Sequence, residues 1–160
     1  MAIRIRPIEP ADGPKLVDLH ESLSDVTRHY RFFSPHPHLT PAEVDRFSHV
    51  DHVDREALVA VDGDDNVVGV GRFDRTGDDI GEVAFVVTDR LQGQGIGSRL
   101  LEALGEWGRA HGVARFEADV LADNRSMMHV FRKWAPGTSV TFCDGVLHFD
   151  MPIPTRVGQN

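Results

Sequence analysis

The run Gln92-Gly93-Gln94-Gly95-Ile96-Gly97 limits what this chain can fold into more than any other stretch of it. Alternate glycines leave the backbone free of β-carbons where it turns. The apolar residues that follow, Ile96, Leu100, Leu104 and Trp107, recur at helical spacing, so a glycine-rich loop opens directly into a helix. The start of such a helix presents unpaired N–H groups and the positive end of the macrodipole, which suits it to a phosphate or pyrophosphate. The alternative reading is a plain surface turn.

Spacing narrows the choice of anion. A dinucleotide-binding loop has Gly-x-Gly-x-x-Gly after the first strand, but counting from Gly93 the last position is Ser98 and the loop lies past mid-chain. A P-loop ends in Gly-Lys-Ser/Thr, where this chain has Gly97-Ser98-Arg99. The hexapeptide fits Gln/Arg-x-x-Gly-x-Gly/Ala instead, with Gln92, Gly95 and Gly97 in the fixed positions after the apolar run Val83-Ala84-Phe85-Val86-Val87. It resembles the acyl-CoA pyrophosphate loop of the GNAT superfamily of N-acetyltransferases. The resemblance implies acetyl-CoA as cosubstrate, with Gln92, Gly93, Gln94, Gly95, Ile96 and Gly97 at its pyrophosphate.

A chain of 160 residues with an ordinary apolar share forms one core and one domain. A formal net charge of -8 and the lack of a Lys/Arg cluster argue against nucleic acid as a partner. The single cysteine, Cys143, rules out an internal disulfide and sits in an alternating, strand-like run. No basic-then-apolar leader is visible, and no apolar run approaches the ~20 residues that span a bilayer, so a cytoplasmic protein without membrane contact is expected.

Element order supports the same family. Ile3-Arg4-Ile5-Arg6 alternates as a strand, Asp12 is placed to cap a helix through Leu23, Ser24-Asp25 starts a second, and Thr40-Pro41-Ala42-Glu43 matches a capping box for a third. The β-rich runs 57–61, 67–73 and 80–87, separated by turn residues, read as successive antiparallel strands leading into the glycine loop. The loop's helix ends near His111-Gly112; a strand over 114–120, a helix opened by Asn124 and a hairpin turned at Asp144-Gly145 follow. This is the order of the GNAT fold, which implies an α/β domain over 1–152, followed by a loose tail over 153–160. Its mixed central sheet carries helices on both faces, and a splayed strand opens a CoA cleft. By position, Phe85, Val86 and Val87 are the cleft's backbone partners for the pantetheine arm. Asn124 matches a CoA-contacting asparagine, or is simply a helix cap, and Arg132 reaches a CoA phosphate or faces solvent.

The segments Arg4-Ile5-Arg6-Pro7-Ile8, Arg31-Phe32-Phe33-Ser34-Pro35, Gly81-Glu82-Val83-Ala84-Phe85-Val86-Val87 and Val120-Leu121-Ala122-Asp123-Asn124-Arg125-Ser126-Met127 are similar to the catalytic domain of bacterial protein lysine acetyltransferases of the Pat type. In some of these the domain is joined to a cyclic-nucleotide-binding or acyl-CoA-synthetase-like module, and acyl-CoA synthetases are typical targets. Neither module lies within these residues, which leaves regulation and substrate open.

Acetylating a lysine requires a neutral amine, yet a free lysine titrates near ~10.4, so a base is needed. Glu82, in an otherwise apolar strand leading into the loop, matches the family's catalytic glutamate, where desolvation raises its pKa toward a useful range, or is simply a strand residue facing solvent. Nine histidines show no metal-ligand pattern, and no metal is expected; His36 and His38 are placed to flank the acceptor cleft. Many acetyltransferases carry a tyrosine as general acid where this chain has Phe131, and Tyr30 belongs to the early helices, so no acid is assigned. Three functions follow: acetylation of a protein lysine, acetylation of a small-molecule amine, and an acetyl-CoA-binding regulatory domain without catalysis. The presence of Glu82 argues for chemistry.

Overall fold

The computed structural model describes residues 2–155. The chain begins with β1 (Arg4–Pro7), then α1 (Gly13–Ser22), α2 (Asp25–Phe32) and α3 (Pro41–Ser48). Next come β2 (Arg55–Val61), β3 (Val67–Arg75) and β4 (Ile80–Val87), which lead to the long helix α4 (Ile96–Ala110). β5 (Arg115–Leu121), α5 (Arg125–Trp134) and the hairpin β6 (Ser139–Cys143) with β7 (Val146–Pro152) complete it. The seven strands form one sheet in the order β1-β2-β3-β4-β5-β7-β6. Every pairing is antiparallel except β4 with β5.

Helices cover both faces, so 57–61 of β2 and 67–71 of β3 read as unbroken apolar runs rather than alternating ones. On one face Leu16, Leu19, Leu23 and Phe47 from α1–α3 and their connections pack on Ala57, Val59, Val61 and Val70. On the other, Leu100, Leu101 and Leu104 of α4 and Phe131 of α5 pack on Phe73, Phe85, Phe116 and Phe149. The three α4 leucines are all 0% exposed, and burying each contributes about 1.5–3 kcal/mol.

Three helix starts follow the predicted capping chemistry: Ser24, Thr40 and Asn124 accept the backbone N–H of Thr27, Glu43 and Met127. Asp12 does not. It precedes α1 without a side-chain cap, because its carboxylate takes both guanidinium arms of Arg6 (2.8 Å each) and the Glu9 N–H.

The feature that positions the site is where β4 and β5 stop pairing. Their parallel register runs Ile80↔Arg115, Gly81↔Phe116, Glu82↔Glu117 and ends there. Beyond it β4 stays bound to β3 as far as Val87, and β5 to β7 as far as Leu121. Each strand is held on its outer edge while the inner edges part. The packing also continues past Pro152: Ile153 N–H donates to Ala114 O (2.8 Å), and Arg109 Nε donates to Pro154 O (2.9 Å). The expected loose tail is therefore fastened at its first residues; 156–160 lie outside the described residues. Among those described, no helix is long and apolar enough to cross a membrane.

Candidate active site

A cavity of about 400 Å³ occupies the gap between β4 and β5. Its floor is Val83 to Val87, its far wall Ala118 to Val120, and its rim the glycine loop, the start of α5 and the α2 side chains Thr27, Tyr30 and Arg31. Gly93 (φ 78°) and Gly95 (φ 84°) adopt the left-handed conformation, which folds the loop back over the strand end and aims the start of α4 into the cavity. The first helical bond runs from Arg99 N–H to Gly95 O, so the N–H groups of Ile96, Gly97 and Ser98 lie ahead of it. No side chain caps this helix start, and a β-carbon on Gly97 would meet nothing within 4 Å. An open, uncapped helix start of this kind fits the pyrophosphate of acetyl-CoA.

The free edge of β4 can be assigned atom by atom. Thr88 N–H donates to Val68 O (2.9 Å), and Val86 O lies 3.2 Å from where a β-carbon on Gly69 would stand, so the backbone of both residues faces β3. By the alternation of an extended chain, Val83, Phe85 and Val87 turn their N–H and C=O groups to the gap. Of the three expected partners, Val86 is therefore corrected: its backbone is turned toward β3. The Val87 carbonyl accepts from Gln92 Nε2 (3.0 Å), which also reaches Thr27 Oγ1 (3.2 Å). Gln92 thus braces the loop against β4 and α2.

Two further residues expected at the cofactor stand outside the cavity. Gln94 is not among the residues lining the cavity. Arg132 is not either: it is exposed, on the solvent side that was the other reading of it, with its guanidinium 6.0 Å from the Phe149 ring, while Met127, His129, Val130 and Phe131 of α5 line the cavity. Asn124 both caps α5 and lines the cavity.

A second cavity of about 220 Å³ lies on the α3 side of the sheet, lined among others by Glu43, Arg46, Phe47, Arg72, Asp74 and Glu82. The two cavities share Arg31, Val83 and Ala84, and Glu82 stands beside that junction. Glu82 is solvent-exposed rather than sunk in the strand's apolar surroundings; what desolvation it has, reinforced by the negative charges of Asp119, Asp74 and Glu117, raises its carboxyl above the ordinary pKa, with Arg31 opposing. Behind it, His148 bridges Asp119 (2.8 Å) and Glu117 (3.6 Å), and the hydrogen bond to Asp119 raises the imidazole pKa. Arg72 donates to Phe47 O (2.8 Å), and burial, with Arg31 nearby, pulls its guanidinium down to about 9, still charged at neutral pH.

His36 and His38 line neither cavity. His36 Nε2 bonds Glu43 (3.0 Å) with its ring stacked on Phe32, and His38 Nδ1 bonds Glu21 (2.9 Å). Among the described residues no group of His, Cys, Asp and Glu is arranged to hold a metal ion. Sequence reasoning did not place Arg31, Tyr30, Asp119 or His129 at the site. Tyr30 is brought to the cavity rim by α2, its hydroxyl donating to Asp123 O across the gap (3.4 Å). For Arg31 the signal was present in the Arg31-Phe32-Phe33 segment, without anything local to say which way it pointed.

Comparison with known proteins agrees with this geometry. The profile described as Acetyltransferase (GNAT) family matches residues 20–135. "Acetyltransferase Pat" of Mycolicibacterium smegmatis is 36% identical over 129 residues, which make up 79% of this chain and 38% of that protein. The chain thus spans well under half the length of that relative. The solved GNAT domain of S. lividans PAT is 38% identical with a TM-score of 0.87, covering 94% of this chain and 90% of that one. A Salmonella typhimurium protein described as an acetyltransferase, solved with its cofactor acetyl-CoA, shares the fold: TM-score 0.76 at 17% identity, covering 100% and 99% of the two chains.

Proposed function

The chain belongs to the acetyltransferase (GNAT) family, and on that premise we propose that it acetylates the side-chain amine of a lysine in a protein substrate, such as an acyl-CoA synthetase, with Glu82 as the general base. The observation that carries this reading is the meeting of two cavities at Arg31, Val83 and Ala84, with Glu82 on the wall of the second. Bound acetyl-CoA supplies an acetyl group activated as a thioester.

The residues divide the work by position. The start of α4 faces the pyrophosphate with the N–H groups of Ile96, Gly97 and Ser98, and the free edge of β4 offers the Val83 carbonyl and the Phe85 backbone groups to the extended arm, the Val83 N–H being taken by the last rung with Glu117. Val83, Phe85 and Phe131 make the cavity apolar around them, which keeps water from the thioester. Glu82 takes the proton of the incoming ammonium, directly or through one water, and its raised pKa brings it nearer to that of a useful base at neutral pH. The likeness to Pat proteins supports a protein lysine as acceptor. The modest size of the second cavity favours, as a second reading, a small-molecule amine.

The test is to incubate the chain with acetyl-CoA and host lysate, in parallel with a purified acyl-CoA synthetase and a panel of small amines, and to map the products by mass spectrometry. Acetyl-lysine at defined protein sites supports the proposal. Acetylation of small amines alone replaces the acceptor, and no transfer to any acceptor removes the reading.

A further inference from the structure

We propose that Arg31 is a catalytic residue that stabilises the negative charge developing on the acyl oxygen during transfer; this rests on the acetyl-transfer reading above. Whatever the acceptor, the reacting carbon must touch the donor cavity and the acceptor cavity at once. The residues lining both are Arg31, Val83 and Ala84, and of these only Arg31 has a polar side chain.

The guanidinium is held but not spent. Its centre lies 4.7 Å from the Phe32 ring and 5.9 Å from the Phe47 ring, cation–π contacts that hold the group without using its N–H donors. Among the described residues it makes no hydrogen bond and no ion pair. Its neighbours behave differently: Arg55 donates to Asp74, His49 O and Arg46 O, and Arg72 to Phe47 O. An arginine with a purely structural role ties down carbonyls and carboxylates in this way. No fully buried side-chain nitrogen in the described residues lacks a partner, so the unpartnered donors of half-buried Arg31 open onto the cavities. A partly desolvated cation compensated only by the more distant charges of Asp74, Glu82 and Glu43 costs stability, and such a cost is typical of a group arranged for a charge that appears only during reaction. Burial lowers the guanidinium pKa, yet arginine remains charged throughout the working range.

The step balances without a further reactant. The amine nitrogen forms a bond to the acyl carbon, and the carbonyl π pair moves to oxygen, where Arg31 faces it. That pair returns as the C–S bond breaks; because Glu82 already holds the proton taken from the ammonium, the proton that the nitrogen sheds after attack goes to the departing thiolate, directly or through water. Losing one such donor lowers kcat by ~10²- to 10³-fold.

The test combines kinetics with the infrared carbonyl band of bound acetyl-CoA carrying ¹³C at the acyl carbon. In the wild-type protein the band is expected below its frequency in water, as a hydrogen-bonded, polarised carbonyl requires. Arg31→Met should return it toward the solution value and lower kcat by ~100-fold or more, with the KM values for acetyl-CoA and acceptor within a few-fold of wild type. Arg31→Lys should fall between the two. An unshifted band in wild type overturns the inference even if the Met variant fails to fold; so does wild-type kcat in Arg31→Met, or a loss confined to acceptor KM. Absence of acetyl-CoA binding to the wild-type protein is a different outcome and removes the acetyl-transfer reading as well.

Discussion

Glu82 and Glu117 are the last residues in register between β4 and β5, and the sheet opens immediately beyond them. The candidate base therefore stands at the apex of the cleft. A ligand lying along the free edge of β4 from the glycine loop runs toward Glu82, and Asp119, further up the opposite strand, adds the negative charge that helps raise its pKa.

Gly97 separates binding from folding. Its φ is not in the left-handed region, and a β-carbon there meets nothing. Gly97→Ala should therefore fold with unchanged or slightly higher Tm, since alanine is favoured over glycine in a helix by up to about 1 kcal/mol. The added methyl stands where the pyrophosphate is expected and should weaken acetyl-CoA binding. Wild type should gain about 2.7 kcal/mol at a ligand concentration of 100 Kd, read as a thermal shift that the variant lacks at the same concentration. Gly95→Ala, forced into φ 84°, should lose about 1–2 kcal/mol without ligand.

The Arg6–Asp12 pair is a structural ion pair far from the chemistry. Asp12 is 2% exposed, and the Arg6 hydrogen bond holds its carboxyl below the ordinary range despite burial. Asp12→Ala removes both short hydrogen bonds of Arg6 and the acceptor of the Glu9 N–H, leaving the cation only the Pro7 carbonyl and the looser Asp65 carboxylate at 3.8 Å, and should cost about 1–3 kcal/mol in denaturant unfolding. Because the folded pKa is depressed, the stabilisation is complete above the ordinary carboxylate pKa of ~3.9 and is lost as pH falls through the lower folded value. The difference between wild type and variant should accordingly shrink in acid.

Glu82 should show the opposite sign. Its folded pKa is raised, so its contribution is most favourable below the unfolded value of ~4.3 and is lost as pH rises through the folded pKa. Glu82→Gln should melt at a higher temperature than wild type at neutral pH, with the difference vanishing as the solution is acidified below that range. Differential scanning calorimetry across pH reads this directly.

Helix starts and strand runs were legible because they are local: Ser24, Thr40 and Asn124 cap through bonds three residues long. Asp12 looked like another cap, and lost that role to Arg6, a partner the local pattern does not reveal. The direction of Arg132 was available in principle, since Met127, Val130, Phe131 and Trp134 mark the packed side of α5 and place 132 off it. Val86 needed the hydrogen-bond phase of β4, which depends on its pairing with β3. The junction at Arg31 was not legible, because it arises only when α2 docks over β4, two elements distant in sequence.

The most direct test of Glu82 as the base is the pH dependence of acetyl transfer by wild type and Glu82→Gln with the same acceptor. Wild-type kcat/KM should rise as pH passes through the raised Glu82 pKa. The variant should bind acetyl-CoA normally, run ~10²- to 10⁴-fold slower at neutral pH, and recover toward wild type only as the amine approaches its own pKa near ~10.4. Equal rates for the two proteins across that range would contradict that role for Glu82.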